Sequence, residues 1–346
     1  MSDYSISQIY ERDSRANRQI DRLLEQEGIR RDPNLDYTCG MYDDEMNIIA
    51  TGSCFGNTLR CMAVDHNHQG EGLMNEIVTH LIEKQYERGN IHLFLYTKCS
   101  SARFFSSLGF FEIARIPDQV VFMENKRNGF DQWLSSLECR EGKKTGAIVM
   151  NANPFTLGHQ YLAEYAAAQC DVLHIFMVSE DKSIFPYSIR KKLIKEGTAH
   201  LDHIIYHDSG PYIISSATFP SYFQKDEASV INSHAMLDLT IFTRIAEKLG
   251  IQKRFVGEEP TSQVTGIYNS IMSSLLPEHG IACEIVPRKT DGDMIISAST
   301  VRQAIHDGDQ EILKRSLPVT TLNWLNSEEA IPVIAKIRNE TDLIHY

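Results

Sequence analysis

Apolar residues recur at helical spacing between Met74 and Tyr86, with Ile77, Val78, Leu81 and Ile82 on one side, which predicts an amphipathic helix. Residues 14–27 carry a similar pattern. Between them, runs near 35–42, 46–54 and 58–65 read as strands. Ile91–Thr97 alternates apolar and polar residues as a strand does, Ala102–Leu108 reads as a short helix, and two more strands follow near 111–116 and 120–124. This part of the chain is therefore expected to be α+β.

Beyond Lys144 the pattern changes. Strand-like runs at Gly146–Asn151, Val172–Val178, His203–His207, Arg254–Val256 and Cys283–Val286 alternate with helical patterns at 159–169, 187–200, 229–249, 262–276 and 298–306. That alternation predicts βαβ crossovers and a mostly parallel sheet, whose ligands bind beyond the carboxyl ends of the strands. The tail, 309–346, reads as helical. The boundary is expected where Phe130 and Trp133 give way to the polar stretch Leu137-Glu-Cys-Arg-Glu-Gly-Lys-Lys144. The expected organisation is one domain over 1–135, a linker over 136–144 and a second domain over 145–346.

Composition narrows the classes. The chain has 346 residues, enough for two domains, and is 42% hydrophobic and 23% charged, as ordinary globular proteins are. A net charge of −12 argues against a nucleic-acid or anionic-membrane partner but leaves room for a local basic pocket. No apolar run is long enough to span a membrane, and the polar N-terminus predicts no signal peptide. The seven cysteines are odd in number, scattered and without a CxxC pair. They predict neither a disulfide framework nor a zinc site, and the expected location is the reducing cytoplasm.

Two segments carry the candidate chemistry. In Gly146-Ala-Ile-Val-Met-Asn-Ala-Asn-Pro-Phe-Thr-Leu-Gly-His159 a buried strand is expected to end at Asn151. Pro154 interrupts regular structure, Gly158 permits close backbone approach, and His159 opens a helix. A helix start directly after a strand offers free N–H groups and a positive dipole end, which suits phosphate. A histidine there can donate to charge that builds on a phosphoryl oxygen. The plainer possibility is that Thr156 caps the helix and His159 is a surface residue. In Ile296-Ser-Ala-Ser-Thr-Val-Arg302, Ser297 and Ser299 are placed to cap a second helix, with Arg302 expected in its first turn. The plainer possibility there is a capped surface helix with a solvated arginine.

Thr156-Leu-Gly-His159 resembles the T/HxGH signature of the nucleotidyltransferase superfamily, and Ile296–Arg302 resembles its ISxTxxR signature with Ser299 in place of the usual threonine. The resemblance implies a fold class of α/β type: a Rossmann-like parallel-sheet nucleotidyltransferase domain preceded by an α+β GNAT-like domain. It implies that ATP is bound, with Thr156 and His159 on the phosphates and Ser297, Ser299 and Arg302 on the β- and γ-phosphates. Attack on the α-phosphate then expels pyrophosphate, aided by Mg2+; the metal ligands stay unassigned. Asn153 and Gly158 belong to the same expected nucleotide-binding set. Arg190 and Lys182 are candidate cations for the triphosphate or for acetate, each with a solvated helix charge as the plainer possibility, which is the preferred one for Lys182; Gly257 and Glu258 are candidates to face the nucleotide, with an ordinary βα turn as the plainer possibility.

Further strings narrow the resemblance: Phe185-Pro-Tyr-Ser-Ile-Arg190, Ser215-Ser-Ala-Thr-Phe-Pro-Ser-Tyr-Phe223, Arg254-Phe-Val-Gly-Glu-Glu-Pro260 with Val264-Thr, and Tyr268-Asn269. With the two-domain layout they resemble the citrate lyase ligase family. That resemblance implies that ATP activates acetate as acetyl-adenylate. The acetyl group then passes to the thiol of the CoA-like prosthetic group on the citrate lyase acyl-carrier subunit. Ser215–Pro220 would then line an acyl pocket.

In the N-terminal part, Val64-Asp-His-Asn-His-Gln-Gly-Glu-Gly-Leu-Met74 places Gly70 and Gly72 at a strand-to-helix junction. This resembles the Q/RxxGxG/A pyrophosphate loop of GNAT acetyltransferases, and Ala102–Phe110 their later segment ending in Gly-Phe. Asn67 departs from the pattern, and no general base announces itself beyond the loop residues His66 and His68. The loop would bind the CoA-like arm of the prosthetic group, or else the domain keeps the GNAT shape without the ligand. Three alternative functions stay open: an adenylyltransferase joining AMP to a phosphorylated metabolite, an acetyl-CoA-dependent acetyltransferase, and a non-catalytic nucleotide-binding module.

Overall fold

The computed structural model describes residues 4–179, 182–213, 219, 227–258, 263–292 and 294–340. It divides into two compact units: one of residues 1–132 with 219–237, the other of 133–218 with 238–346.

The first unit runs β1 (Ser5–Gln8), α1 (Ser14–Gln26), β2 (Tyr37–Tyr42), β3 (Ile48–Phe55), β4 (Thr58–Val64), α2 (Leu73–Glu87), β5 (Phe94–Thr97), α3 (Ala102–Ser107), β6 (Phe111–Ile116) and β7 (Val120–Glu124). These strands form one sheet in the order β1-β2-β3-β4-β5-β7-β6. All pairs are antiparallel except β4–β5. One cluster of buried side chains joins the sheet to α2 and α3 through Ile77, Val78, Leu81 and Phe105. A second joins it to α1 through Ile20, Leu23 and Leu24. The α2 contact is close enough that a side-chain carbon at Gly52 would lie 2.6 Å from Ile77, so only glycine fits there. Strand β1 escaped the sequence reading because Ser-Ile-Ser-Gln is short and polar; its pairing with β2 is made by the backbone.

Helix α4 (Gly129–Ser136) leads toward the second unit. There follow β8 (Thr145–Met150), α5 (Leu157–Ala167), β9 (Val172–Met177), α6 (Tyr187–Gly197), β10 (Ile204–Asp208), α7 (Glu227–Leu249), β11 (Lys253–Gly257), α8 (Gln263–Leu275) and β12 (Ala282–Val286). A two-stranded hairpin, β13 (Thr290–Asp291) and β14 (Met294–Ile295), precedes α9 (Ala298–Asp307), α10 (Gln310–Ser316), α11 (Val319–Leu325) and α12 (Ile331–Asn339). The five-stranded sheet is wholly parallel, in the order β10-β9-β8-β11-β12. Strand order therefore reverses between β8 and β11, the place where an open α/β sheet forms a ligand crevice at the carboxyl ends of its strands. The described part of the tail is helical as expected: Val333 and Ile337 of α12 pack into the same core as Val301 and Ile305 of α9 and Ile148 of β8.

All seven cysteines are free. Among the described residues no helix is long and apolar enough to cross a membrane.

Candidate functional site

The loop after β8 is shaped by its sequence. Ala152 adopts a left-handed backbone at φ 50°, and the Asn153–Pro154 peptide is cis. Phe155 is fully buried, its ring against Gly197 at the end of α6, where any side-chain carbon would lie 2.3 Å from it. Thr156 then caps α5. The helix opens at Leu157, two residues before His159, and His159 is its third residue.

That offset changes the reading of His159. The Thr156 backbone N–H donates to His159 Nδ1 at 3.1 Å, and the Thr156 hydroxyl lies 2.9 Å from the same nitrogen. In return the His159 N–H donates to Thr156 Oγ1 at 3.4 Å. This reciprocal box satisfies two otherwise unpaired helix-start donors. Because Nδ1 accepts a backbone N–H, the ring proton of the neutral imidazole resides on Nε2, which is thereby a donor. Burial, and then the nearby Arg288 guanidinium, lower the imidazole pKa to about 4. The site thus holds a neutral histidine with one N–H to offer. Of the two plainer elements the Thr156 cap is present, whereas His159 is half-buried rather than a surface residue.

The second motif meets the first. Ser297 caps α9, accepting from the Thr300 N–H at 3.0 Å, and its hydroxyl lies 2.9 Å from that of Ser299 and 2.7 Å from that of Thr300. Ser297 is the cap and Ser299 sits one residue inside the helix. The Ile296 carbonyl, just before this cap, would be 3.3 Å from a side-chain carbon at Gly158. Two helix starts therefore lie together, with Gly158 against the Ile296 carbonyl. Arg302 is the fifth residue of α9, beyond the first turn, and is 2% exposed. Its Nη1 donates to the Asn153 carbonyl at 2.6 Å although 149 residues separate them.

Arg190 requires a correction. It was expected as a cation for triphosphate or acetate, but its guanidinium is fully buried and committed to protein oxygens. It donates to the carbonyls of Phe185 at 3.0 Å, Asn151 at 3.1 Å and Val178 at 2.7 Å, and to Asn151 Oδ1 at 2.6 Å. It thus ties together the loops that leave β8 and β9. Asn153, 3% exposed, accepts the Phe185 N–H at 3.0 Å through Oδ1, while its Nδ2 is buried without a hydrogen-bond partner. An unsatisfied buried donor beside two helix starts fits a ligand oxygen.

Gly257 ends β11, and a side-chain carbon there would lie 4.0 Å from Leu162. Lys182 is half-buried on the segment between β9 and α6. Ser215–Pro220, Phe219 apart, lies outside the described residues. Arg288 was missed in the sequence. The signal was present: an Arg-Lys pair directly after Pro287, at the carboxyl end of a strand. Among the described residues no group of three or more His, Cys, Asp or Glu side chains could hold a metal ion.

In the first unit, β4 and β5 pair only at Thr58–Leu59 with Phe94–Leu95. Their later residues, Met62–Val64 and Tyr96–Thr97, instead line a cavity of about 590 Å³, together with Lys98 just beyond β5. Gly70 and Gly72 line it too, both left-handed at φ 92° and 85°, with Gly72 at the start of α2. A side-chain carbon at either would meet nothing within 4 Å. His68 lines the cavity, 3.5 Å from Asp65, whereas the side chain of His66 is 65% exposed and does not.

A doubly wound parallel sheet with two helix starts at its switch point, following a GNAT-like domain, defines a nucleotidyltransferase-fold enzyme of two domains. Residues 145–325 match the citrate lyase ligase C-terminal domain, and residues 4–110 match the acetyltransferase (GNAT) family. The chain is similar to the [citrate [pro-3S]-lyase] ligase of Klebsiella pneumoniae, 41% identical over 318 residues, covering 88% of this chain and 91% of that one. It is 40% identical over 314 residues to the ligase of the same name from Haemophilus influenzae, covering 88% of this chain and 94% of the relative. To that of Escherichia coli K12 it is 39% identical over 317 residues, covering 89% and 90%. The chain belongs to the citrate lyase ligase family, and it is a ligase.

Proposed function

We propose that the enzyme uses ATP to acetylate the prosthetic-group thiol of the citrate lyase acyl-carrier subunit, by way of acetyl-adenylate. A carboxylate oxygen of acetate forms a bond to the α-phosphorus as the bond to the bridging oxygen breaks, and pyrophosphate leaves with that electron pair. The thiol then attacks the acetyl carbonyl carbon, AMP departs, and the thiol proton passes to solvent.

The observation that carries this reading is the meeting of the two helix starts at Gly158 and Ile296 beside a neutral His159. Amides and dipoles at such ends favour polyphosphate. The roles we assign are His159 Nε2–H and Thr156 to the phosphoryl oxygens at the reacting phosphorus, and Ser297, Ser299 and Arg302 to the β- and γ-phosphates. Gly158 and Gly257 keep the backbone open to the nucleotide, and Asn153 Nδ2 donates to a substrate oxygen. Among the described residues no cluster of His, Cys, Asp or Glu forms a cage for a metal; Mg2+ would be carried on the triphosphate, whose charge it would neutralise.

For the first unit we propose that the Gly70–Gly72 loop and the cavity beside it hold the CoA-like arm that bears the thiol. Left-handed glycines there turn backbone N–H groups toward a pyrophosphate. Titration with dephospho-CoA tests this; absence of binding at residues 1–135 would leave the domain a GNAT shape without its ligand.

The test of the whole reading is ATP–pyrophosphate exchange with and without acetate. Exchange that requires acetate supports the acetyl-adenylate. Exchange indifferent to acetate, but dependent on a phosphorylated metabolite, would make the enzyme an adenylyltransferase instead.

A further inference from the structure

Arg288 stands two residues beyond the end of β12. Its Nε donates to the Glu258 carbonyl at 3.0 Å, just past the end of β11, and its Nη1 to the Ile296 carbonyl at 3.3 Å, just before the cap of α9. Its charge is felt at His159, the third residue of α5. The guanidinium is thus braced by two backbone carbonyls from different segments and placed where the starts of α5 and α9 come together.

We propose that Arg288 is a polyphosphate-binding residue, reaching the region between the α- and β-phosphates of a nucleoside triphosphate that spans the two helix starts. The inference rests on the nucleotide reading of the same site. Three features support it. A planar fork fixed by two carbonyls is pre-oriented for phosphate oxygens, where a lysine is only a flexible point charge. Arg190 is committed to protein oxygens, which leaves Arg302 and Arg288 to supply positive charge at the two helix starts. Finally, a ligand on the Ser297 start and on His159 must pass the point that Arg288 overlooks.

The experiment is calorimetric titration of the full-length chain, in fixed Mg2+, with ATP, AMP and inorganic pyrophosphate, for the wild type, Arg288→Gln and Arg288→Lys. The expected result is that Arg288→Gln binds ATP and pyrophosphate about tenfold or more weakly and AMP less than about threefold weaker, in line with loss of a charge-assisted hydrogen bond. The imidazole of His159, faced by Arg288 with Glu258 beside it, should titrate at higher pH in Arg288→Gln and stay low in Arg288→Lys. A merely structural role would weaken all three ligands alike. If Arg288→Gln does not fold, Arg288→Lys decides: weaker ATP with unchanged AMP supports the proposal, and wild-type affinity for ATP overturns it. Arg288→Gln that binds ATP and pyrophosphate as the wild type does overturns this inference alone. A wild-type chain that binds neither overturns the nucleotide reading, and this inference with it.

Discussion

Replacing His159 by alanine removes both its contact to the helix cap and the donor role proposed for it. Its Nδ1 accepts the Thr156 N–H and closes the box that starts α5, and its Nε2–H is left as a donor. Loss of one pre-oriented donor to developing charge lowers turnover by about 10²–10³-fold, or roughly 3–4 kcal/mol. Loss of one helix-start hydrogen bond costs only about 1 kcal/mol of stability, which lowers the melting temperature of a domain this size by about 2–4 °C. His159→Gln distinguishes the effects. Glutamine is a favoured third residue of such a box, so it should restore the melting temperature while leaving the donor misplaced. The assay is acetate-dependent ATP–pyrophosphate exchange beside a thermal melt. Because burial and Arg288 hold the His159 pKa at about 4, the wild-type rate should show no break near pH 6.5 from this residue. A fall is expected only as the pH approaches 4, where protonation of Nδ1 opposes the Thr156 N–H. His159→Ala within about threefold of the wild type, or full rescue of rate by glutamine, would refute the donor role.

Gly158→Ala puts a methyl group 3.3 Å from the Ile296 carbonyl, forcing a shift of a few tenths of an ångström between the two helix starts. Alanine favours the helix, so stability should change by less than about 1 kcal/mol while exchange falls by about tenfold or more, measured in the same assay with a denaturant melt. Arg190→Met strands the carbonyls of Asn151, Val178 and Phe185 and should cost about 3–5 kcal/mol in urea unfolding, a loss a phosphate-only role would not produce. Acid should destabilise the second unit. His174 and His207, hydrogen-bonded at 2.8 Å in the core, are both held at about 4 by burial. Between about pH 6.5 and 4 the unfolded chain therefore binds protons that the folded chain does not. Stability is full above that window and falls through it as pH drops, by up to about 1.4 kcal/mol per pH unit for each imidazole. A flat urea midpoint from pH 7 to 5 would contradict this.

Much of the site was legible because local rules act there. A strand, a proline and glycine punctuation, and a hydroxyl before a helical run are signals carried by neighbours in sequence, and both Thr156 and Ser297 are caps. What stayed hidden depends on partners far along the chain. Nothing near Arg190 announces that its side chain will meet the carbonyls of Asn151 and Val178, and a buried arginine reads like any helix cation. The registry of His159 is hidden for the opposite reason, since one residue of uncertainty at a helix start decides whether the imidazole projects freely or folds back on the cap. Strand β1 lacks an apolar pattern altogether; only its backbone partner makes it a strand.

The arginines would let an acidic chain hold the polyphosphate proposed above. With a net charge of −12 the whole molecule does not attract anions, so any affinity must come from local geometry. Helix-start amides supply part of it without formal charge, but they work only if the loops that present them are rigid. Arg190 and Arg302 fix the segment from Asn151 to Asn153 by holding its carbonyl oxygens from two different helices. Arg190 would serve the proposed anion only in this indirect way, by keeping the start of α5 in place, and Arg302 would do so beside its own contact to the β- and γ-phosphates. A neutral His159 fits the same scheme. An imidazolium there would repel Arg288 and compete with it for phosphate, whereas a neutral ring donates one hydrogen bond and leaves the charge to the guanidinium. The low pKa of the histidine and the nearness of Arg288 are therefore two sides of one arrangement, and removing the guanidinium should alter both.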